Sequence, residues 1–189
     1  MSFRQSIRVS SDRLGALVGK QGKVKKWIEE QCNITLEIDS DTGEVAVVGG
    51  EDLETSEPIK AVQLVTAVAR GFSPDRAGRL MKEDSVLDII DLRQYAGKSR
   101  NSIERIKGRV IGFQGKARRI IEELTGTYVS VYGHTVSLIG TTGQIKLGQE
   151  AFDMLASGSP HKAVYSMLQK RKTVSKLERL KLWEESPIG

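Results

Sequence analysis

Gly112 and Gly115 stand three apart, enclosing Phe113 and Gln114, with Arg105, Lys107 and Arg109 before them and Lys116, Arg118 and Arg119 after. This set has no nucleophile and no general base; its chemistry is the holding of anions. A glycine lacks a side chain, so a sugar-phosphate chain can come close to the main chain at either end of such a turn. A helix opening just beyond it aims unpaired N–H groups and the positive end of its dipole at the same place. A single Gly-x-x-Gly at a helical corner is more often just a turn. This chain has it twice.

Offset by 93 positions, residues 15–30 fall on residues 108–123. Gly15, Gly19, Gln21, Gly22, Lys23, Ile28, Glu29 and Glu30 recur as Gly108, Gly112, Gln114, Gly115, Lys116, Ile121, Glu122 and Glu123. Val18 matches Ile111, and Lys26 matches Arg119, conservatively. Inside the turn the marked exchange is Lys20 for Phe113. Residues 13–26 hold five Lys or Arg and residues 105–119 hold six, with no acid in either stretch. An ordinary solvated helix face mixes signs, so this placement points to a polyanionic partner more firmly than the net charge of +5 does.

The turns need two helices and a sheet to hold them. Residues 3–9 alternate weakly and predict a strand, Ser11-Asp12 a cap, residues 13–18 a helix, and residues 23–32 a second helix with Val24, Trp27 and Ile28 inward. Residues 34–38 and 44–48 predict a hairpin, and residues 59–71 a closing helix after Gly49-Gly50. Residues 86–92 open the second copy, a helix ends at Ile111, residues 127–132 and 135–139 pair, and residues 145–156 close it. Gly140 and Gly143 repeat the Gly-x-x-Gly spacing but sit where Gly49-Gly50 sits in the first copy, so they predict a strand-to-helix turn with no ligand. The expected division is 1–72, a helical connector 73–84, 85–158, and a helical tail 159–189 whose long helical segment Pro160 begins. The tail carries Val164, Met167, Leu168, Val174, Leu177, Leu180 and Trp183 among many cations. It is expected to pack across its own domains, with a protein partner or an RNA backbone as the sharper alternatives.

The 189 residues have room for a proper core, and the sole cysteine, Cys32, excludes an internal disulfide or a cysteine-built zinc site. Its counterpart is Thr125, so Cys32 is read as packing. No signal peptide or apolar run of eighteen residues stands out, and the expectation is a cytoplasmic protein with no membrane association. Catalysis is not expected. Asp88 and Asp91, three apart in a strand, point to opposite faces; His134 and His161 have no matched partner; and Gly19 to Lys23 is too short for a P-loop.

The strings Gly108-x-Val110-Ile111-Gly112-x-x-Gly115-x-x-x-x-Ile120-Ile121 and Gly15-x-Leu17-Val18-Gly19-x-x-Gly22-x-x-x-x-Trp27-Ile28 resemble the signature of type I KH domains. The resemblance implies an α+β fold of two tandem KH domains, each β-α-α-β-β-α with a three-stranded antiparallel sheet and helices on one face. KH modules clamp the backbone of about four nucleotides of single-stranded nucleic acid with this loop. Carried onto this chain, Gly19, Gly22, Gly112 and Gly115 admit the backbone, and Lys20, Lys23, Lys26, Lys116, Arg118 and Arg119 neutralise phosphates. Arg105, Lys107 and Arg109 line the groove entrance; Gly15 and Gly108, flanked by Val18 and Ile111, leave room for a base; Gln21 and Gln114 belong to the loops. Leu36, Ile38, Val129 and Val131 are candidates for the groove floor, some of them necessarily core instead. Phe113 departs from the basic residue common in KH loops, and either stacks on a base or sugar or is buried against a neighbour.

More narrowly, the tandem arrangement is similar to archaeal two-KH proteins related to eukaryotic KH-type small-ribosomal-subunit assembly factors, on the Gly108-to-Glu122 string and on Ser159-Pro160-x-Lys162-Ala163. That likeness implies binding near the 3′ end of small-subunit ribosomal RNA during maturation, with no cofactor. It also implies a maturation endonuclease, the small subunit, or the α subunit of translation initiation factor 2 as partners. The alternative is a general KH RNA-binding protein in RNA decay or mRNA regulation, which shares every site residue.

Overall fold

The structure is a computed structural model that describes residues 3–49 and 55–185, with side chains described as far as residue 181. The first half runs β1 (Arg4–Arg8), α1 (Ser11–Val18), α2 (Lys23–Cys32), β2 (Ile34–Asp39), β3 (Glu44–Gly49) and α3 (Pro58–Ala69). A connector follows, α4 (Pro74–Ala77) continuing into a 3-10 turn over Gly78–Met81. The second half runs β4 (Ser85–Asp91), α5 (Arg93–Ala96), α6 (Arg100–Ile111), α7 (Lys116–Thr125), β5 (Tyr128–Tyr132), β6 (Thr135–Thr141) and α8 (Thr142–Ala156). The tail is α9 (His161–Glu185). Gly50 falls outside the described residues, as do the side chains from residue 182 on, including that of Trp183.

Each half builds its own antiparallel sheet, in the orders β1-β3-β2 and β4-β6-β5. The alternation read from the sequence sets which face meets the helices. In the first sheet Ile7 and Ile38 lie opposite Val45, and Leu36 opposite Val47, all facing α1, α2 and α3. In the second, Ile90 and Val131 lie opposite Val136, and Val129 opposite Leu138, facing α6, α7 and α8. Cys32 and Thr125 both sit in these cores, as packing requires; burial pushes the Cys32 thiol up to about 11.

The other face of each sheet has a different fate. On the first, Arg4 and Glu37 make a solvent-exposed ion pair at 2.8 Å. On the second, Leu87, Tyr128 and Ile139 join the apolar cluster of the first half, with Phe72 and Leu80 of the α3 end and connector against them. Gly71, at φ 96°, lets the chain press onto β5: a Cβ there would lie 2.7 Å from Ser130 Oγ and 2.9 Å from Tyr132 Cβ. Polar contacts lock the same seam. Ser130 Oγ donates to the Arg70 carbonyl at 2.9 Å, and Tyr132 donates to Asp12 at 2.7 Å.

Two expectations change here. Asp12 was expected to belong to a cap, but α1 starts at Ser11, no side chain caps it, and Asp12 is instead the acceptor for Tyr132 of the other half. The tail does not pack throughout: Val164 and Leu168 are buried against the second half, while every residue from Gln169 to Lys181 is exposed. The turn at Gly140–Gly143 behaves as its position predicts. Thr141 and Gln144 cap α8 reciprocally.

Candidate nucleic-acid interface

Both glycine turns adopt one backbone path. Gly19 (φ 73°, ψ 175°), Gln21 (φ 56°, ψ 32°) and Gly22 (φ 74°, ψ 10°) are matched by Gly112 (φ 70°, ψ 177°), Gln114 (φ 50°, ψ 32°) and Gly115 (φ 74°, ψ 14°). The two glutamines occupy the left-handed region without being glycine, a conformation side chains rarely accept. Nothing in the sequence flagged them for it, although their identity in both copies is the trace that it left.

The glycines of each turn are not equivalent. A Cβ on Gly112 would fall 2.6 Å from Ala117 Cβ, and one on Gly19 would strike Val24, so these two glycines let the turn fold back on its own helix. A Cβ on Gly22 or Gly115 would meet nothing within 4 Å. Gly15 and Gly108, one helical turn earlier on α1 and α6, are also clear. The open positions therefore leave main chain bare for a ligand, and the closed ones shape the loop.

The helix-opening N–H groups are partly used. Gly22 N–H donates to the Gly19 carbonyl and Gly115 N–H to that of Gly112, both at 3.2 Å. Lys23 and Lys116 donate to the carbonyls of Lys20 and Phe113. The expectation that these N–H groups face an anion is thus corrected at those four residues, because the tight turn satisfies them internally.

The expected cations divide in the same way. Lys20, Lys23, Arg105 and Lys116 are exposed and make no ion pair among the described residues. Lys26 lies 3.8 Å from Glu30 in an exposed pair that an incoming phosphate can exchange, and the half-buried Lys107 lies 3.0 Å from the exposed Glu104. Arg119 donates to the Gln114 carbonyl at 3.1 Å and so braces the second loop. Arg118 is half-buried, its Nε closed off with no partner among the described residues.

Arg109 is a correction. Its guanidinium donates to the Leu155 carbonyl at 2.9 Å and to that of Ser159, so it ties α6 to the end of α8 instead of lining a groove entrance. The first half does the same from a neighbouring position: Arg13 donates to the carbonyls of Val68 at 2.9 Å and Phe72 at 2.6 Å. Leu36 and Val129 are core, closed to any ligand, whereas Val18, Ile38, Ile111 and Val131 are half-buried. Phe113 is 81% exposed, which removes burial against a neighbour as its role.

Sequence reading assigned no role to the identical pair Glu29 and Glu122. Glu29 accepts the N–H of Leu36 at 2.8 Å, and Glu122 that of Val129 at 2.7 Å. Each carboxylate thereby holds the edge strand of its sheet to the helix that follows the loop. Glu122 also takes an ion pair from Arg76 of the connector, whose guanidinium lies 4.5 Å from the Tyr128 ring centroid.

Among the described residues no cluster of His, Cys, Asp and Glu is arranged to hold a metal ion, and no helix is long and apolar enough to cross a membrane.

A three-stranded antiparallel sheet in the order 1-3-2, with helices on one face and a Gly-x-x-Gly turn between the first two long ones, is the KH fold. In agreement, residues 86–173 match the family model of a eukaryotic-type KH domain, KH-domain type I, second domain of the PNO1 kind. The chain is 42% identical over 182 residues to a KH domain-containing protein of Methanocaldococcus jannaschii, covering 95% of this chain and 78% of that one. It is 26% identical to the pre-rRNA-processing protein PNO1 of Chaetomium thermophilum, covering 87% and 64%. Among solved structures, the Dim2p of a Pyrococcus horikoshii complex of initiation factor 2α, Dim2p and rRNA matches with a TM-score of 0.84 and 41% identity, over 91% of this chain and 95% of that one. This chain belongs to the PNO1-type family of KH-domain proteins.

Proposed function

We propose that this protein binds single-stranded RNA through two KH domains, residues 1–72 and 85–158, whose Gly-x-x-Gly loops clamp the sugar-phosphate backbone, and that it acts at the 3′ end region of small-subunit rRNA during ribosome maturation. The observation that carries the binding is the pair of loops with one backbone path. In each, Gly22 or Gly115 presents bare main chain, Gly15 or Gly108 leaves an open flank, and free cations stand alongside. Lys20, Lys23, Lys116 and Arg105 supply the direct charge; Lys26, Lys107 and Arg119 supply it by exchanging partners. Arg13 and Arg109 hold the helices that present them. The chain's own residues supply positioning and charge, and no bond-breaking step is assigned to them.

The target rests on the relatives. One is a pre-rRNA-processing protein, and a solved neighbour stands in a complex with rRNA and initiation factor 2α. By that likeness the α subunit of initiation factor 2 is the first protein partner to test; a maturation endonuclease and the small subunit itself come next. The deciding experiment sequences RNA crosslinked to the protein in cells. Reads concentrated at the 3′ end of small-subunit rRNA are expected; reads spread over messages would move the protein to RNA decay or mRNA regulation.

A further inference from the structure

Beside the first loop lies a cleft of about 500 Å³ lined by Lys23, Val24 and Trp27 of α2 and by Pro74, Asp75 and Gly78 of the connector. It is continuous with the loop. Gly19 is folded onto Val24, and Lys23, the residue that ends the turn, also forms the lip of the cleft. Trp27 forms one wall, its ring edge 3.4 Å from where a Cβ of Gly78 would stand, so the connector lies within contact distance of the indole.

The two halves differ at this place. Where the first has Trp27, the second has Ile120, and where the first is followed by the short α4 that Pro74 opens, the second is followed by α9 after Pro160. Conversely, the first loop carries Lys20 where the second carries the exposed Phe113. Each half therefore has one aromatic ring at its loop, inside it in the second and one helical turn beyond it in the first.

Resting on the RNA-binding reading above, we propose that this cleft is a base-binding seat for the nucleotide that leaves the first loop, with Trp27 as its stacking wall and Lys23 holding the adjoining phosphate. The charges order the nucleotide. Asp75 would repel a phosphate, so the strand must turn a base, not its backbone, into the cleft. A carboxylate accepts hydrogen bonds from an exocyclic amine, which cytosine presents and uracil lacks. The volume is that of a small-molecule site and suits one base with its sugar.

The test uses the full chain and fluorescein-labelled ten-nucleotide oligocytidine and oligouridine. A Trp183→Phe background leaves Trp27 as the only indole. Binding of oligocytidine should quench Trp27 emission, and Trp27→Leu, which keeps apolar packing on Gly78, should weaken binding roughly ten-fold, the scale of one lost base stack. Asp75→Ala, at an exposed position, should leave the fold intact and narrow the preference for oligocytidine over oligouridine. RNA that binds with unchanged Trp27 emission, together with an unaltered base preference in Asp75→Ala, overturns the seat while leaving the loops as the binding site. Failure of both oligonucleotides to bind, or binding that Gly22→Asp and Gly115→Asp together do not reduce, overturns the RNA-binding reading itself.

Discussion

The two halves have one loop geometry and two different settings for it. In the first, the sheet turns its back to solvent, with an exposed Arg4–Glu37 pair on it. In the second, the same surface is covered: Leu87, Tyr128 and Ile139 are packed beneath the connector, and Arg79 donates to the Gly126 carbonyl and to Gln144, each at 2.6 Å. The second half also inserts α5, whose Tyr95 stacks edge-on against Phe152 with centroids 4.9 Å apart and donates to Asp153. The loops kept one backbone path while the elements that support them diverged. The more heavily braced copy is the one whose loop offers an aromatic ring in place of a cation.

The comparison breaks most sharply at the open glycines. Gly22→Asp and Gly115→Asp each put a carboxylate where phosphate is proposed to sit, and each should weaken binding of a ten-nucleotide single-stranded RNA by at least about ten-fold, measured by fluorescence anisotropy. The pair together should abolish it, and the ratio of the single effects says which half carries more of the affinity. All four loop glycines stand at positive φ, so every substitution carries some backbone strain, and circular dichroism must show Gly22→Asp and Gly115→Asp folded; the closed glycines add a steric clash to that strain. Gly112→Ala forces a methyl into Ala117 at positive φ, and a loss of about 1–3 kcal/mol in chemical denaturation is expected before any question of RNA arises. An acidic double substitution across Gly112 and Gly115 would therefore mix misfolding with lost binding.

A smaller effect separates the two sheet backs. Arg76→Met removes the ion pair to half-buried Glu122 and the contact with the Tyr128 ring, and should cost about 1–2 kcal/mol. Arg4→Met removes an exposed pair and should cost within about 0.5 kcal/mol. Equal losses would show that the seam between the halves bears no load. Smallest is Phe113→Lys, which makes the second loop like the first. The slope of log affinity against log salt should steepen by roughly 0.7, the increment for one more phosphate contact on a single strand.

Periodicity and duplication carried most of this fold. Residues 23–32 are helical end to end, because apolar residues recur at the helical spacing and glycine precedes them. Both hairpins fall where alternation puts them. The glycine spacing, written twice in basic surroundings, was enough to locate the candidate interface. These are local properties, settled by backbone freedom at glycine and by which side of an element is apolar.

Local pattern could not say where long side chains end. Arg109 and Arg119 look alike in the sequence, yet one grips the carbonyls at the end of α8 and the other braces its own loop, according to which orphan carbonyls lie within reach after folding. Gly112 and Gly115 look alike too, and only the turn of the chain back onto Ala117 makes one a packing residue and leaves the other bare. The pairing of Tyr132 with Asp12, 120 residues away, has no sequence signal at all, because it arises where one half closes on the other. The chain by itself determined what is repeated and where its positive charge gathers; tertiary contact decided which of those charges remain free, since a cation within reach of a carbonyl or carboxylate is already partnered before any RNA arrives.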